Sequence, residues 1–172
     1  MLGKLFKTDG NVAGLIARIV LGIVILPHGL QKLVGAFGGY GFSNTIGYFT
    51  STGIPVIIAF LIIMAESFGS LGLITGFLSR FSAFGISLNM LGAIILVHLP
   101  NGFFMNWIGQ QQGEGFEFHI LALGLALLVM IFGGGKWSID KLISDRFFPK
   151  RTRRIRTARN EKRKEVLSDI YM

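Results

Sequence analysis

The sequence predicts an all-α membrane protein in which four transmembrane helices form a bundle. Of the 172 residues, 51% are hydrophobic and 15% are charged, and the mean hydropathy is +0.60. Soluble domains carry about 25% charged residues, so this composition is too apolar for a water-facing surface and excludes a soluble enzyme. Four apolar stretches are each long enough to cross a bilayer as a helix, at residues 12–33, 55–78, 81–99 and 116–134.

The basic residues predict how these spans are oriented. Lys4 and Lys7 precede the first span, and Arg80 lies between the second and the third. Twelve of the 17 Lys and Arg residues lie from Lys136 onward, whereas the connection 100–115 contains none. Because cytoplasmic loops are enriched in Lys and Arg, both termini are predicted to be cytoplasmic.

Residues 1–145 are predicted to form the transmembrane domain, and residues 146–172 a basic cytoplasmic tail. We expect the tail to lie against anionic lipid, and a docking role for a cytosolic partner stays open. Nucleic-acid binding is not expected, because the tail lacks interleaved aromatic residues and a recognisable binding fold. In the first outer loop, Phe42, Ile46 and Phe49 recur at helical spacing, which predicts a short helix in the outer interface.

One acidic residue within the predicted spans is a candidate catalytic residue. Glu66 lies near the middle of the second span, where an ionisable group costs roughly 2.5–3.5 kcal/mol by insertion scales. It could carry a proton or bind a polar substrate. Alternatively, it could make a structural ion pair with Arg18 or a hydrogen bond with Asn89, and we assign these two residues to a structural polar core.

The three histidines, His28, His98 and His119, are all predicted to lie near the outer ends of their spans. Lys32 follows His28 by four residues, and Glu117 precedes His119 by two. A bundle could gather these five side chains into one polar pocket that opens to the outside and receives a quinone head group or a small substrate. The alternative is a set of separate interfacial histidines. No metal site is predicted, because no two histidines on one helix have ligand spacing.

The chain resembles the DoxX family of small bacterial membrane proteins with four spans. The resemblance covers about residues 10–143, and the tail lies outside it. It is carried by Arg18-x-x-Leu21-Gly22, Gly29-x-x-Lys32, Gly53-Ile54-Pro55, Glu66-x-x-Gly69, Gly76, Arg80, Glu117 and the run from Gly133 to Asp140.

This resemblance implies a location in the bacterial inner membrane and a role in a redox system. Family members are described as oxidoreductases. Some relatives form a membrane subunit of thiosulfate:quinone oxidoreductase, and others belong to a stress-response complex with a superoxide dismutase and a sulfurtransferase. The resemblance places Arg18, Lys32, Glu66 and Glu117 at polar motif positions of the family. The expected function is to pass electrons from a small reduced substrate, or from a soluble redox enzyme, to membrane quinone.

The absence of cysteine means that sulfur chemistry would require a partner or a bound cofactor. The alternative function is a non-enzymatic membrane scaffold that recruits soluble redox proteins. A small-solute transporter is a weaker alternative, since the sequence has no internal repeat or pair of broken helices. The sequence also leaves a homo-oligomer open, because one four-helix bundle has little room for a pocket.

Overall fold

The computed structural model describes residues 5–148 and Leu167, and it is helical without a β-strand throughout that part of the chain. The all-α prediction is therefore confirmed for these residues. The helices are α1 (Val12–Val34), α2 (Gly41–Ser51), α3 (Val56–Thr75), α4 (Ser79–Asn101), α5 (Glu117–Phe132) and α6 (Ile139–Phe147). The predicted tail, residues 146–172, lies outside the described residues except for residues 146–148 and Leu167.

Among the described helices, α1, α3 and α4 are long and apolar enough to cross a membrane, with 23, 20 and 23 residues. Helix α5 is equally apolar but has only 16 residues, about 24 Å at 1.5 Å per residue. It ends where Gly133 takes a positive φ of 78°, which is a conformation that glycine adopts at little cost. A fourth complete span and the cytoplasmic orientation of both termini thus stay predictions.

Four helices pack as a closed ring, in the order α1, α3, α4, α5 and back to α1. Helix α2 lies against α1 and α3 and supplies the short helix expected in the first outer loop; its position in the interface stays a prediction. Apolar side chains from all four helices of the ring fill its centre, among them Leu21, Leu73, Ile86 and Val129.

Arg18 ties the ring together at one end. Its side chain is buried, with 1% of its surface exposed. Its guanidinium donates to the carbonyl oxygens of Leu73 (2.9 Å), Ile74 (2.6 Å), Gly134 (2.7 Å), Lys136 (3.3 Å) and Trp137 (3.1 Å). The planar guanidinium has enough donors to satisfy all of these acceptors. Arg18 therefore joins α1 to the end of α3 and to the segment after α5, and it does not pair with Glu66.

Asp140 closes the same end of the molecule. Its two carboxylate oxygens accept from the backbone N–H groups of Leu78 and Ser79, each at 2.8 Å. These groups belong to the start of α4, where a negative charge also meets the positive end of the helix dipole. Because Asp140 is buried at the start of α6, this contact fixes α6 to the bundle.

Candidate functional site

A cavity of about 1090 Å³ lies between α1, α3 and α4 and reaches α5 at one end. Most of its wall is apolar, as is usual for pockets that bind small organic molecules. The ionisable and amide side chains on its wall are His28, Lys32, Glu66, Asn89, His98, Glu114 and His119. Four of the five predicted pocket residues, together with Glu66 and Asn89, therefore share one cavity.

A charged cluster joins three helices within this cavity. The Lys32 Nζ of α1 lies 2.6 Å from the Glu66 Oε2 of α3. The Asn89 Nδ2 of α4 donates to the other carboxylate oxygen at 2.7 Å. The predicted bond between Glu66 and Asn89 is present, whereas the partner of opposite charge is Lys32 and not Arg18. The cluster thus keeps a carboxylate satisfied inside an apolar environment, where an unpaired charge would be costly.

Local backbone geometry brings Glu66 close to α1. Glu66 lies in a π-helical turn, Ala65–Gly69. Such turns are rare in proteins overall, and those that occur are frequently found at functional sites. Opposite it, a Cβ at Gly29 would come within 2.6 Å of the Glu66 backbone. Only glycine permits this approach of α1 and α3, and Lys32 follows Gly29 by less than one helical turn. The Gly29-x-x-Lys32 spacing therefore places Lys32 next to the point where α1 and α3 come closest, within reach of Glu66.

The rings of two histidines are in contact at the end of the cavity nearest to α5, tilted by 43° to one another. The rings of His98 and His119 have centroids 4.2 Å apart. His98 Nδ1 lies 2.8 Å from the carbonyl oxygen of Glu114, so the adjacent connection holds this ring. His119 is 7% exposed, and its Nδ1 has no hydrogen-bond partner among the described residues. A buried polar atom without a partner is uncommon and is the expected mark of a ligand or water position.

The third histidine lies farther from this pair. Phe118 stands between them, with its ring centroid 6.3 Å from that of His28 and 5.5 Å from that of His119. All three histidines line the cavity, but only His98 and His119 are in ring contact. Among the described residues, no group of three or more His, Cys, Asp or Glu side chains is arranged to hold a metal ion.

Glu117 does not line the cavity. Its Oε1 accepts from the Met105 backbone N–H and from the Trp107 indole N–H, each at 3.1 Å. The carboxylate therefore holds the connection between α4 and α5, and the structure does not bring Glu117 together with the other predicted pocket residues. Glu114 lines the wall instead, and no spacing in the sequence singles it out, because it lies in an irregular segment without periodicity.

The exposed part of the cavity wall is apolar and comes from α3 and α4. It includes Leu61, Phe68 and Leu71 of α3 and Phe84, Leu88 and Leu96 of α4. Met105 and Glu114 of the connection line the end where the sequence predicted an opening to the outside. The cavity thus opens sideways between two helices that are apolar enough to cross a membrane.

The fold and the cavity together define a helical membrane protein with several spans and a charged cluster inside an apolar pocket. The family model described as DoxX matches residues 13–99, just over half of the chain, and the chain belongs to the DoxX family. The resemblance expected from the motifs is therefore confirmed. No solved structure matches the chain.

Curated relatives agree with this assignment. A protein of Bacillus subtilis (strain 168) named "Putative oxidoreductase CatD" is 33% identical over 96 residues, which is 56% of this chain and 67% of the relative. "Inner membrane protein YqjF" of Escherichia coli (strain K12) is 28% identical over 80% of this chain and 96% of its own length. "Uncharacterized membrane protein Rv3486" of Mycobacterium tuberculosis (strain ATCC 25618 / H37Rv) is 28% identical over 83% of this chain and 88% of its own.

Proposed function

We propose that this protein is the membrane component of a redox system in the bacterial inner membrane, and that its cavity binds the head group of a membrane quinone. One observation carries the proposal: His119, whose buried Nδ1 has no hydrogen-bond partner among the described residues, lines an apolar cavity together with the Lys32–Glu66–Asn89 cluster. The name of the Bacillus subtilis relative supports the redox part.

The chemistry of the wall suits a quinone. The carbonyl oxygens of a quinone accept hydrogen bonds, and Lys32 and His119 can donate to them. The hydroxyl groups of a quinol donate, and the Glu66 carboxylate can accept from them. Reduction of a quinone to a quinol takes up two electrons and two protons, and Glu66 would pass these protons to the head group. The electrons would come from a small reduced substrate or a soluble redox enzyme, since the chain contains no cysteine.

The sideways opening supports a ligand that enters from lipid. The long isoprenoid tail of a quinone would remain between the apolar side chains of α3 and α4, while the head reaches the charged cluster. A water-soluble substrate would have to pass this apolar mouth without compensation for its lost hydration. The proposal therefore places the oxidised or reduced quinone in the bilayer and the electron donor at the water-exposed face.

Filling part of the cavity should weaken quinone binding. Gly92 lines the cavity, and a Cβ at this position meets no atom within 4 Å. In Gly92→Leu, the added side chain would occupy space needed by the ligand without disturbing the helix packing. We expect its affinity for decylubiquinone, measured by titration of the protein in lipid nanodiscs, to fall by about tenfold or more, the factor that corresponds to ~1.4 kcal/mol.

Gly124→Leu is the matched control. Gly124 also lies within a helix with no atom within 4 Å of its Cβ position, but it is not part of the cavity wall. Its affinity should equal that of the unmodified protein. Equal affinity in both variants, or no binding to the unmodified protein, would overturn the proposal. The titration is repeated with a short-tailed naphthoquinone, because bacterial membranes contain both quinone classes.

A further inference from the structure

The segment after α5 presents large apolar side chains on its surface. Trp137, Leu142 and Phe147 are 76%, 71% and 69% exposed, and Ile139 and Phe148 are also exposed. Trp137 has a positive φ of 55°, which is uncommon for a residue other than glycine, and its ring is turned away from the bundle. An exposed apolar patch of this kind marks a surface that contacts a partner or a membrane.

This surface has a fixed orientation. Asp140 accepts from the first backbone N–H groups of α4, and Arg18 donates to the carbonyl oxygens of Lys136 and Trp137. Ser138 caps α6 by accepting from the Lys141 N–H at 3.1 Å. The apolar side chains therefore cannot turn inward without breaking buried hydrogen bonds.

Basic residues accompany the apolar side chains. The Lys136 ammonium lies 4.8 Å from the centroid of the Trp137 ring, and Arg146 is exposed on α6. The sequence continues with nine Lys and Arg residues against three Asp and Glu residues between positions 149 and 172. Tryptophan with neighbouring lysine and arginine is typical of the membrane–water interface, where the cations meet lipid phosphates.

We propose that residues 136–148 form an amphipathic anchor that lies in the interface of the leaflet at this end of the bundle and binds anionic phospholipid. Its apolar side chains insert among the upper parts of the acyl chains, and Lys136 and Arg146 contact the phosphates. This inference is independent of the quinone proposal, because it concerns neither the cavity nor its ligand.

The two tryptophans of the chain permit a direct test. The Trp107→Phe variant leaves Trp137 as the sole tryptophan. It is reconstituted in vesicles with equal parts of phosphatidylglycerol and phosphatidylcholine, with bromine near the top or near the end of the acyl chains. We expect Trp137 to lose most of its fluorescence to shallow bromine and less to deep bromine. Bromine on phosphatidylglycerol should cause about twofold more loss than bromine on phosphatidylcholine.

A reference tryptophan in water calibrates the measurement. Gln111 is exposed in the polar connection between α4 and α5. In the variant Trp107→Phe, Trp137→Phe, Gln111→Trp, the fluorescence of the new tryptophan should not be quenched by either brominated lipid and should be quenched by aqueous iodide. If Trp137 behaves like this reference, the anchor is wrong. If neither brominated lipid nor iodide quenches the fluorescence of Trp137, a second copy or another protein covers the surface, and the lipid assignment is overturned. Equal loss from both lipid classes contradicts the preference for anionic lipid.

Discussion

Replacing Arg18 with glutamine is expected to lower the free energy of unfolding by about 3–5 kcal/mol, because several backbone carbonyl oxygens lose their donor and each unsatisfied buried acceptor costs about 1–3 kcal/mol. The change removes the guanidinium that joins α1 to the end of α3 and to the segment after α5. A glutamine amide has too few donors for the carbonyl oxygens that remain, and unpaired buried acceptors are costly. Thermal unfolding in detergent, followed by circular dichroism, measures the loss.

Arg146→Gln is the control for this change. Arg146 is exposed, so its replacement should alter the free energy of unfolding by no more than about 0.5 kcal/mol. Arg18→Lys should recover only part of the stability, because an ammonium lacks the planar fork of donors. An Arg18→Gln protein that unfolds at the same temperature as the unmodified chain would show that this end of the bundle does not depend on the guanidinium.

The second large effect concerns the ion pair in the cavity. In Glu66→Gln, Lys32 loses its carboxylate at 2.6 Å inside an apolar environment. We expect a stability loss of about 1–3 kcal/mol, reduced by the partial exposure of Lys32, together with loss of quinone binding. The double variant Lys32→Met, Glu66→Gln removes both charges and should recover the stability without recovering the binding.

Recovery of stability without binding separates a functional carboxylate from a purely structural one. If the double variant binds decylubiquinone like the unmodified protein, neither charge contributes to the site. If the single variant is as stable as the unmodified chain, the ion pair does not contribute to folding. Asp145→Asn is the control for the loss of one carboxylate charge outside the cavity. It breaks an ion pair with Lys141 on the surface of α6, so neither stability nor quinone binding should change appreciably.

Helix positions could be predicted from the sequence because apolar runs have a length that the bilayer requires. The predicted spans 12–33 and 81–99 correspond to Val12–Val34 and Ser79–Asn101. The fourth predicted span, 116–134, contains α5, Glu117–Phe132, and the hydropathy pattern could not show that the helix ends before Gly133. Gly133 ends α5, and the next carbonyl, that of Gly134, turns toward Arg18.

Side-chain partners were harder to predict than helix positions. The sequence placed Lys32 near the histidines, with which it shares the cavity, but its ion pair with Glu66 depends on the rotation of α1 against α3. That rotation depends on the close approach at Gly29, which no one-dimensional pattern specifies. Glu117 was assigned to the pocket from its nearness to His119 in the sequence, but the conformation of the irregular connection draws its carboxylate to Met105.

The quinone content of the isolated protein tests the central proposal most directly. The protein is transferred from bacterial membranes straight into lipid nanodiscs, and the quinone and phospholipid of each particle are quantified by mass spectrometry. The proposal predicts that the ratio of quinone to phospholipid is well above that of empty nanodiscs made from the same membranes. In Gly92→Leu, this ratio should fall to that of the empty nanodiscs. Quinone at the proportion of the empty nanodiscs in the unmodified protein would contradict the account.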